Sequence, residues 1–225
     1  MKIILFHLPN SRSQRIVWLF EELQIDYELQ CHGSKSEKNK NNTMKYPSVE
    51  LSINNETQIL TESSAIAEYF SQRTQQLLIP QHHQHFWDFI FYKHYSDASL
   101  MPNLALKQIF QQITQHTPWL FRWVSYSLKY AFNRSHLNPE LNQQLQRLER
   151  HLKIHTWLAG DDFSYADILL WFPLQAASHA HPDFQTYTAL EQYLNHIQDR
   201  PAFQSALIQG EWSEMTFQQY WKITQ

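Results

Sequence analysis

The spacing of apolar residues changes period repeatedly in the first third of the chain, and each change predicts an element. Residues 2–8 form a compact apolar run bounded by Pro9 and Asn10, the signature of a buried strand. Ile16, Leu19, Phe20 and Leu23 then recur at i, i+3, i+4 and i+7, along one face of a helix. Residues 27–31 predict a second strand, parallel to the first because a right-handed crossover joins them. The polar stretch 32–42, rich in Lys and Asn, predicts a loop or a poorly formed helix. Residues 48–53 and 58–60 predict a hairpin turning at Asn54 and Asn55, and a helix over 63–71 completes a βαβ-ββα order.

From about residue 84 onward the period is helical. Residues 85–98 are aromatic-rich, and Met101-Pro102 is expected to interrupt or restart that helix. Residues 119–132 predict an apolar, aromatic helix. Within 140–157, Leu141, Leu145, Leu148 and Leu152 make one stripe. Residues 166–177 are apolar nearly all round, which predicts a buried central helix bent at Pro173. Segments 186–198 and 202–207 finish a bundle. The fold class is therefore α/β plus all-α: a first domain over 1–75, a linker over 72–83, and an all-helical domain over 84–225.

Composition then narrows the partners. A chain of 225 residues buries roughly 70% of its unfolded surface, enough for stability without covalent staples. Its 18 Lys and Arg against 21 Asp and Glu make no electrostatic case for nucleic acid or for an anionic membrane surface, so neither is expected as a partner. No stretch approaches the roughly 20 apolar residues that span a bilayer, and the N-terminal apolar run is too short for a signal peptide. The single cysteine, Cys31, excludes an intramolecular disulfide framework and fits a reducing compartment, so a cytoplasmic location is expected.

Four local motifs can carry chemistry. Ser11 and Gln14 match an S-x-x-Q capping box, and a hydroxyl at a helix N-terminus can also donate to a bound thiolate. Tyr46-Pro47 precedes a strand, where the Tyr46 backbone could pair with an extended peptide. Glu62-Ser63 opens a helix whose free N–H groups and Ser63 hydroxyl suit a carboxylate, while Glu62 suits an ammonium. Ser164 and Asp167 form an S-x-x-D capping box, stapled by Phe163 and Ile168, and read as structural. His82, His83 and His85 are expected to lie in the linker without carboxylate or cysteine partners, so no metal is expected.

Together these features resemble the glutathione transferase family over nearly the whole chain. The stretches SRSQRIVWLFEEL, ESSAIAEYF, HYSDASLMP and LAGDDFSYADI carry the likeness in that order. The resemblance implies a thioredoxin-like first domain, with glutathione as co-substrate, and a helical second domain. It implies that Pro47 is cis, that Glu62 and Ser63 hold the γ-glutamyl end, and that the Tyr46 backbone pairs with the cysteinyl unit. Lys45 is expected to meet the glycyl carboxylate, and Ser11 to hydrogen-bond the sulfur. The segment from Cys31 to Pro47 is short and lacks the glycine these proteins usually carry before the lysine. Cys31 stands away from the nucleophile position. Tyr92, His94 and Tyr95 are expected to face the cleft and line a pocket for a small hydrophobic electrophile. A homodimer with a role in detoxification is expected; the alternatives are a non-catalytic ligand- or protein-binding relative and a glutathione-dependent peroxidase.

Overall fold

The computed structural model describes residues 1–31, 45–54 and 56–222; the expectations for 32–42 and for Asn55 in the hairpin turn lie outside the described residues. Among the described residues, four strands make one mixed sheet. These are β1 (Lys2–His7), β2 (Glu28–Cys31), β3 (Ser48–Ile53) and β4 (Glu56–Thr61), in the order β2-β1-β3-β4. β1 runs parallel to β2 and antiparallel to β3, and β3 pairs antiparallel with β4. Alternation sends Ile3, Leu5, Val49 and Leu51 into the core.

Helix α1 (Gln14–Glu22) crosses over between β1 and β2, and α2 (Ser63–Thr74) follows β4, running past the predicted end at 71. The sequence predicts one buried face for α1, yet Gln14 to Phe20 are buried without a break. The reason is tertiary: α1 packs against the first-domain core and also against helices of the second domain.

The second domain comprises α3 (Phe86–Tyr95), α4 (Met101–His116), α5 (Arg122–Phe132), α6 (Asn138–Leu152), α7 (Tyr165–Ala180), α8 (Thr188–Gln198), α9 (Pro201–Gln209) and α10 (Glu214–Trp221). Met101-Pro102 restarts the helix as α4 rather than breaking it. A π-turn over Ser96–Leu100 joins α3 to α4, and Pro102 falls in the first turn of α4, where its missing N–H costs nothing. The stripe predicted over 140–157 lies on α6, which stops at Leu152; Trp157 and Gly160 then close a tight bridged turn. α7 is the buried centre, with only Ser178 and His179 partly exposed.

The start of α7 is fixed by Asp167. Its carboxylate accepts from the backbone N–H groups of Ser164 and Leu158, each at 2.9 Å, and from the Tyr193 hydroxyl at 2.9 Å. Burial raises its pKa to about 6 despite these donors. The histidine expectation needs correcting. His83 meets Asp162 at 3.1 Å because the turn after Trp157 folds back over this segment, and His85 meets Asp88, three residues on in α3, at 3.0 Å. Among the described residues, no group of three or more His, Cys, Asp or Glu is placed to hold a metal ion, and no helix is long and apolar enough to cross a membrane.

Candidate functional site

The two domains meet along α1, and that seam shapes the site. Trp18 packs edge-on against Trp171 of α7 and Phe203 of α9. Glu22 takes a two-pronged ion pair from Arg200, at 2.6 and 2.8 Å. At the centre is Arg15, fully buried. It donates to Asp97 of the π-turn at 3.0 Å, to the Leu169 carbonyl at 2.9 Å and to the Ser63 hydroxyl at 2.5 Å. Leu169 has a carbonyl to offer because Pro173, four residues on, has no N–H to return the usual helical bond. Each part follows from local sequence, but their meeting does not.

Ser63 inherits a direction from this arrangement. Its oxygen accepts from Arg15, so its own proton is left to donate elsewhere. Ser63 opens α2, where backbone N–H groups of the first turn lack helical acceptors. The preceding Glu62 is held at φ 66°, a left-handed conformation that a β-carbon disfavours. Such strain is characteristic of ligand-holding positions.

Across from α2, the Tyr46–Pro47 peptide is cis, as the resemblance implies. Ser48 Oγ donates to the Lys45 carbonyl and closes this turn. A cavity of about 420 Å³ is lined by Ser11, Lys45, Tyr46, Pro47, Glu62 and Ser63, together with Leu8 and Arg12. Every residue the sequence analysis assigns to glutathione therefore borders one space. Leu8 and Arg12 went unremarked there; their position in the turn around Ser11 was the available signal.

Ser11 departs from its predicted local role. It does not cap α1, which begins at Gln14, and Ser13 at the N-cap position makes no side-chain cap. Asn10 at φ 57° turns the chain one step earlier, so the Ser11 hydroxyl donates to the Leu8 carbonyl at 2.8 Å. Gln14 reaches instead to the Ala206 carbonyl at 2.5 Å. Behind Ser11 lies a buried relay. The Gly210 carbonyl can only accept, so His7 donates to it through Nε2 at 2.8 Å and leaves Nδ1 to accept from Ser13 Oγ at 2.7 Å. Burial lowers the His7 pKa and keeps the ring neutral. Ser13 Oγ stands 2.9 Å from Ser11 Oγ, and the Ser13 N–H donates to Ser11 Oγ at 3.2 Å.

A second cavity, about 540 Å³, opens on the other side of the same turn. It shares Leu8, Ser11 and Arg12 with the first and is otherwise largely apolar, with Met101 and Ile109 from α4, Phe172 from α7 and Phe217 from α10. Tyr92, His94 and Tyr95 are not among its lining residues. Tyr92 is buried against the His151 ring, Tyr95 donates to the Gln144 carbonyl at 3.3 Å, and His94 is exposed. Cys31, at the end of β2, lines neither cavity, and burial raises its thiol pKa.

A strained helix start, a cis-proline turn and a shared serine thus sit at a domain seam, the layout of a thioredoxin-like ligand site facing a helical domain. Two family models divide the chain in the same way. The glutathione S-transferase N-terminal domain matches residues 5–76, and the glutathione S-transferase C-terminal domain matches 119–201. The chain belongs to the glutathione S-transferase family. It is 27% identical to glutathione S-transferase 3 of Schizosaccharomyces pombe over 95% of this chain and 90% of that one. It is 24% identical to a disulfide-bond oxidoreductase of Escherichia coli over 93% and 96%. Among solved structures, a glutathione S-transferase from Xylella fastidiosa superposes with a TM-score of 0.72 at 20% identity, covering 94% of this chain and all of that one. A glutathione transferase homolog from Lodderomyces elongisporus, with two glutathione molecules per subunit, superposes at 0.70 with 16% identity, covering 92% and 98%.

Proposed function

We propose that this enzyme is a glutathione S-transferase that binds glutathione in the cavity between Pro47 and Ser63 and conjugates it to a small hydrophobic electrophile. The carrying observation is that Ser11, Lys45, Tyr46, Pro47, Glu62 and Ser63 border one space of about 420 Å³. Ser63, its oxygen engaged by Arg15, donates its proton to the γ-glutamyl carboxylate at the start of α2. Glu62 pairs with the α-ammonium, the Tyr46 backbone with the cysteinyl unit, and Lys45 with the glycyl carboxylate. This array fixes the sulfur beside Ser11, a contribution of proximity.

The Ser11 proton points inward in the free protein, to the Leu8 carbonyl. Rotation toward the cavity lets it donate to the sulfur while the Ser13 N–H still donates to its oxygen, which stabilises thiolate over thiol. The thiolate forms a bond to the electrophilic carbon, the leaving group departs as an anion, and the thiol proton passes to solvent. The electrophile fits the apolar cavity bounded by Ile109, Phe172 and Phe217 rather than the surroundings of Tyr92, His94 and Tyr95. The family resemblance supports a homodimer, and the reading implies a cytoplasmic role in detoxification.

Conjugation of a chlorinated aromatic probe by the wild type and by Ser11→Ala tests the reading, with a loss of about 10²-fold expected, the scale of one transition-state donor. Equal rates remove Ser11 from the role. Absence of measurable glutathione binding by calorimetry up to millimolar concentration points to the non-catalytic alternative. The inward-facing Ser11 proton is the one observation that favours a second reading, glutathione-dependent peroxide reduction, in which peroxide oxygen rather than Ser11 meets the sulfur. Peroxide turnover that persists in Ser11→Ala while conjugation is lost identifies it.

A further inference from the structure

The hairpin of α4 and α5 is built inside out. From Leu106 onward along α4, Lys107, Gln108, Gln111 and Thr114 are buried, whereas Leu106 and Ile113 are exposed and Ile109 opens into the apolar cavity beside Ser11. On α5 only Lys129 is buried. Trp119 is 82% exposed, Trp123 70% and Leu128 58%, and Phe121, Tyr126 and Tyr130 are exposed with them. Apolar surface gathered over so short a stretch is not scattered decoration of the kind every protein carries.

Charge is segregated onto the same hairpin. Residues 98–139 contain Lys107, Arg122, Lys129 and Arg134 and no Asp or Glu, leaving the rest of the chain with 14 cations against 21 carboxylates. The overall negative balance conceals a locally cationic, aromatic tip. A cavity of about 630 Å³ opens in it, lined by Lys107, Lys129, Arg134 and His181, with Tyr126 and Tyr130 at its edge and Asp183 as its one carboxylate. Lys107 donates to the Asn138 amide oxygen at 2.7 Å and Lys129 to the Gln111 amide oxygen at 2.7 Å. Burial pulls the Lys107 pKa down to about 8, and the nearby Lys129 charge adds to the shift. An anion entering this cavity relieves that cost.

We propose that the α4–α5 hairpin docks on anionic membrane surfaces, with its Trp and Tyr side chains at the headgroup level and a lipid phosphate in the Lys107–Lys129–Arg134 cavity. Trp and Tyr favour that interface because one end of each ring system is apolar and the other polar. Cations without intervening acids complement an anionic leaflet. A tip-to-tip contact with a second copy is disfavoured, since a two-fold axis through the tip sets its cations against an equally cationic copy. The segment lies on the surface and does not span.

Co-sedimentation of the full chain with phosphatidylcholine vesicles, with and without phosphatidylserine, tests the proposal. Binding is expected to be at least about tenfold stronger on the anionic vesicles and to weaken with salt. Trp119→Ser with Trp123→Ser, and separately Arg122→Glu with Arg134→Glu, should each reduce it by about tenfold or more, while the thermal midpoint stays unchanged because all four side chains are exposed. No binding by the folded wild type overturns the proposal. So does self-association without vesicles that the tryptophan variant abolishes, which assigns the face to a second copy. Stabilisation by inorganic phosphate without vesicle binding overturns it in favour of a small-anion site.

Discussion

Two apolar helices of this protein have opposite surroundings. α7 is buried almost all round, and α5 is exposed almost all round, yet both read from sequence as apolar helices. α7 is enclosed by α1, α2, α3, α4 and α10 on successive sides, whereas α5 packs against α4 and the turns at its ends. The difference teaches that hydrophobic content predicts a helix but not its neighbours. It also separates two roles. α7 anchors the site through the Leu169 carbonyl and the Asp167 cap, while α5 presents a surface.

The largest expected effect falls where the α7 side meets charge. Asp97→Ala leaves the Arg15 guanidinium buried without its carboxylate and should cost about 3–5 kcal/mol in denaturant unfolding. A cost below 1 kcal/mol would mean that the Leu169 and Ser63 oxygens alone sustain the cation. Next, Leu174→Ala, in the fully buried part of α7, should cost about 2–5 kcal/mol.

A smaller effect appears as pH dependence. Burial holds the folded His7 pKa below its ordinary value of about 6.5, so the unfolded chain takes up this proton first on acidification. Stability tied to neutral His7 is therefore complete above that pH and lost as pH falls toward the folded pKa, by at most about 1.4 kcal/mol per pH unit. Asp167 acts with the opposite sign, because its folded pKa of about 6 lies above the unfolded value and acidification toward pH 4 favours the fold. The difference between wild type and His7→Gln cancels the Asp167 contribution, and it should show the variant less acid-sensitive below pH 6.5. Parallel curves would remove His7 from the balance. The smallest effect belongs to α5: Leu128→Ala should change stability by no more than about 0.5 kcal/mol in the free protein. A cost matching that of Leu174→Ala would show α5 packed in solution and erase the contrast between the helices.

Much of the site was legible because its parts are local. The cis-proline turn, the Glu62-Ser63 helix start and the serine after β1 each occupy a few consecutive residues with distinctive chemistry. The Ser11–Gln14 capping box failed because a match of residue types at the right spacing does not say where the helix begins. The positive φ at Asn10 delays α1 to Gln14, and the Gln14 amide donates to the Ala206 carbonyl of α9 instead of accepting from Ser11. Tyr92, His94 and Tyr95 lie away from the apolar cavity beside Ser11, and the sequence did not show it, because a helix rich in aromatic residues looks the same whether it faces a cleft or a core. The free carbonyl of Leu169 was implicit in Pro173. Its use by Arg15, some 150 residues away in sequence, was not.

The sequence by itself determined the two-domain order, the identity of most elements and the residues that border the cavity between Pro47 and Ser63, since these follow from periodicity and short-range motifs. Only the tertiary structure decided which apolar helix is buried, which way Ser63 and Ser11 point, and that one region of a net-acidic chain is cationic and aromatic at its surface. The physical reason is common to all three. Burial, hydrogen-bond direction and surface charge are properties of neighbours in space, and those neighbours come from distant parts of the chain.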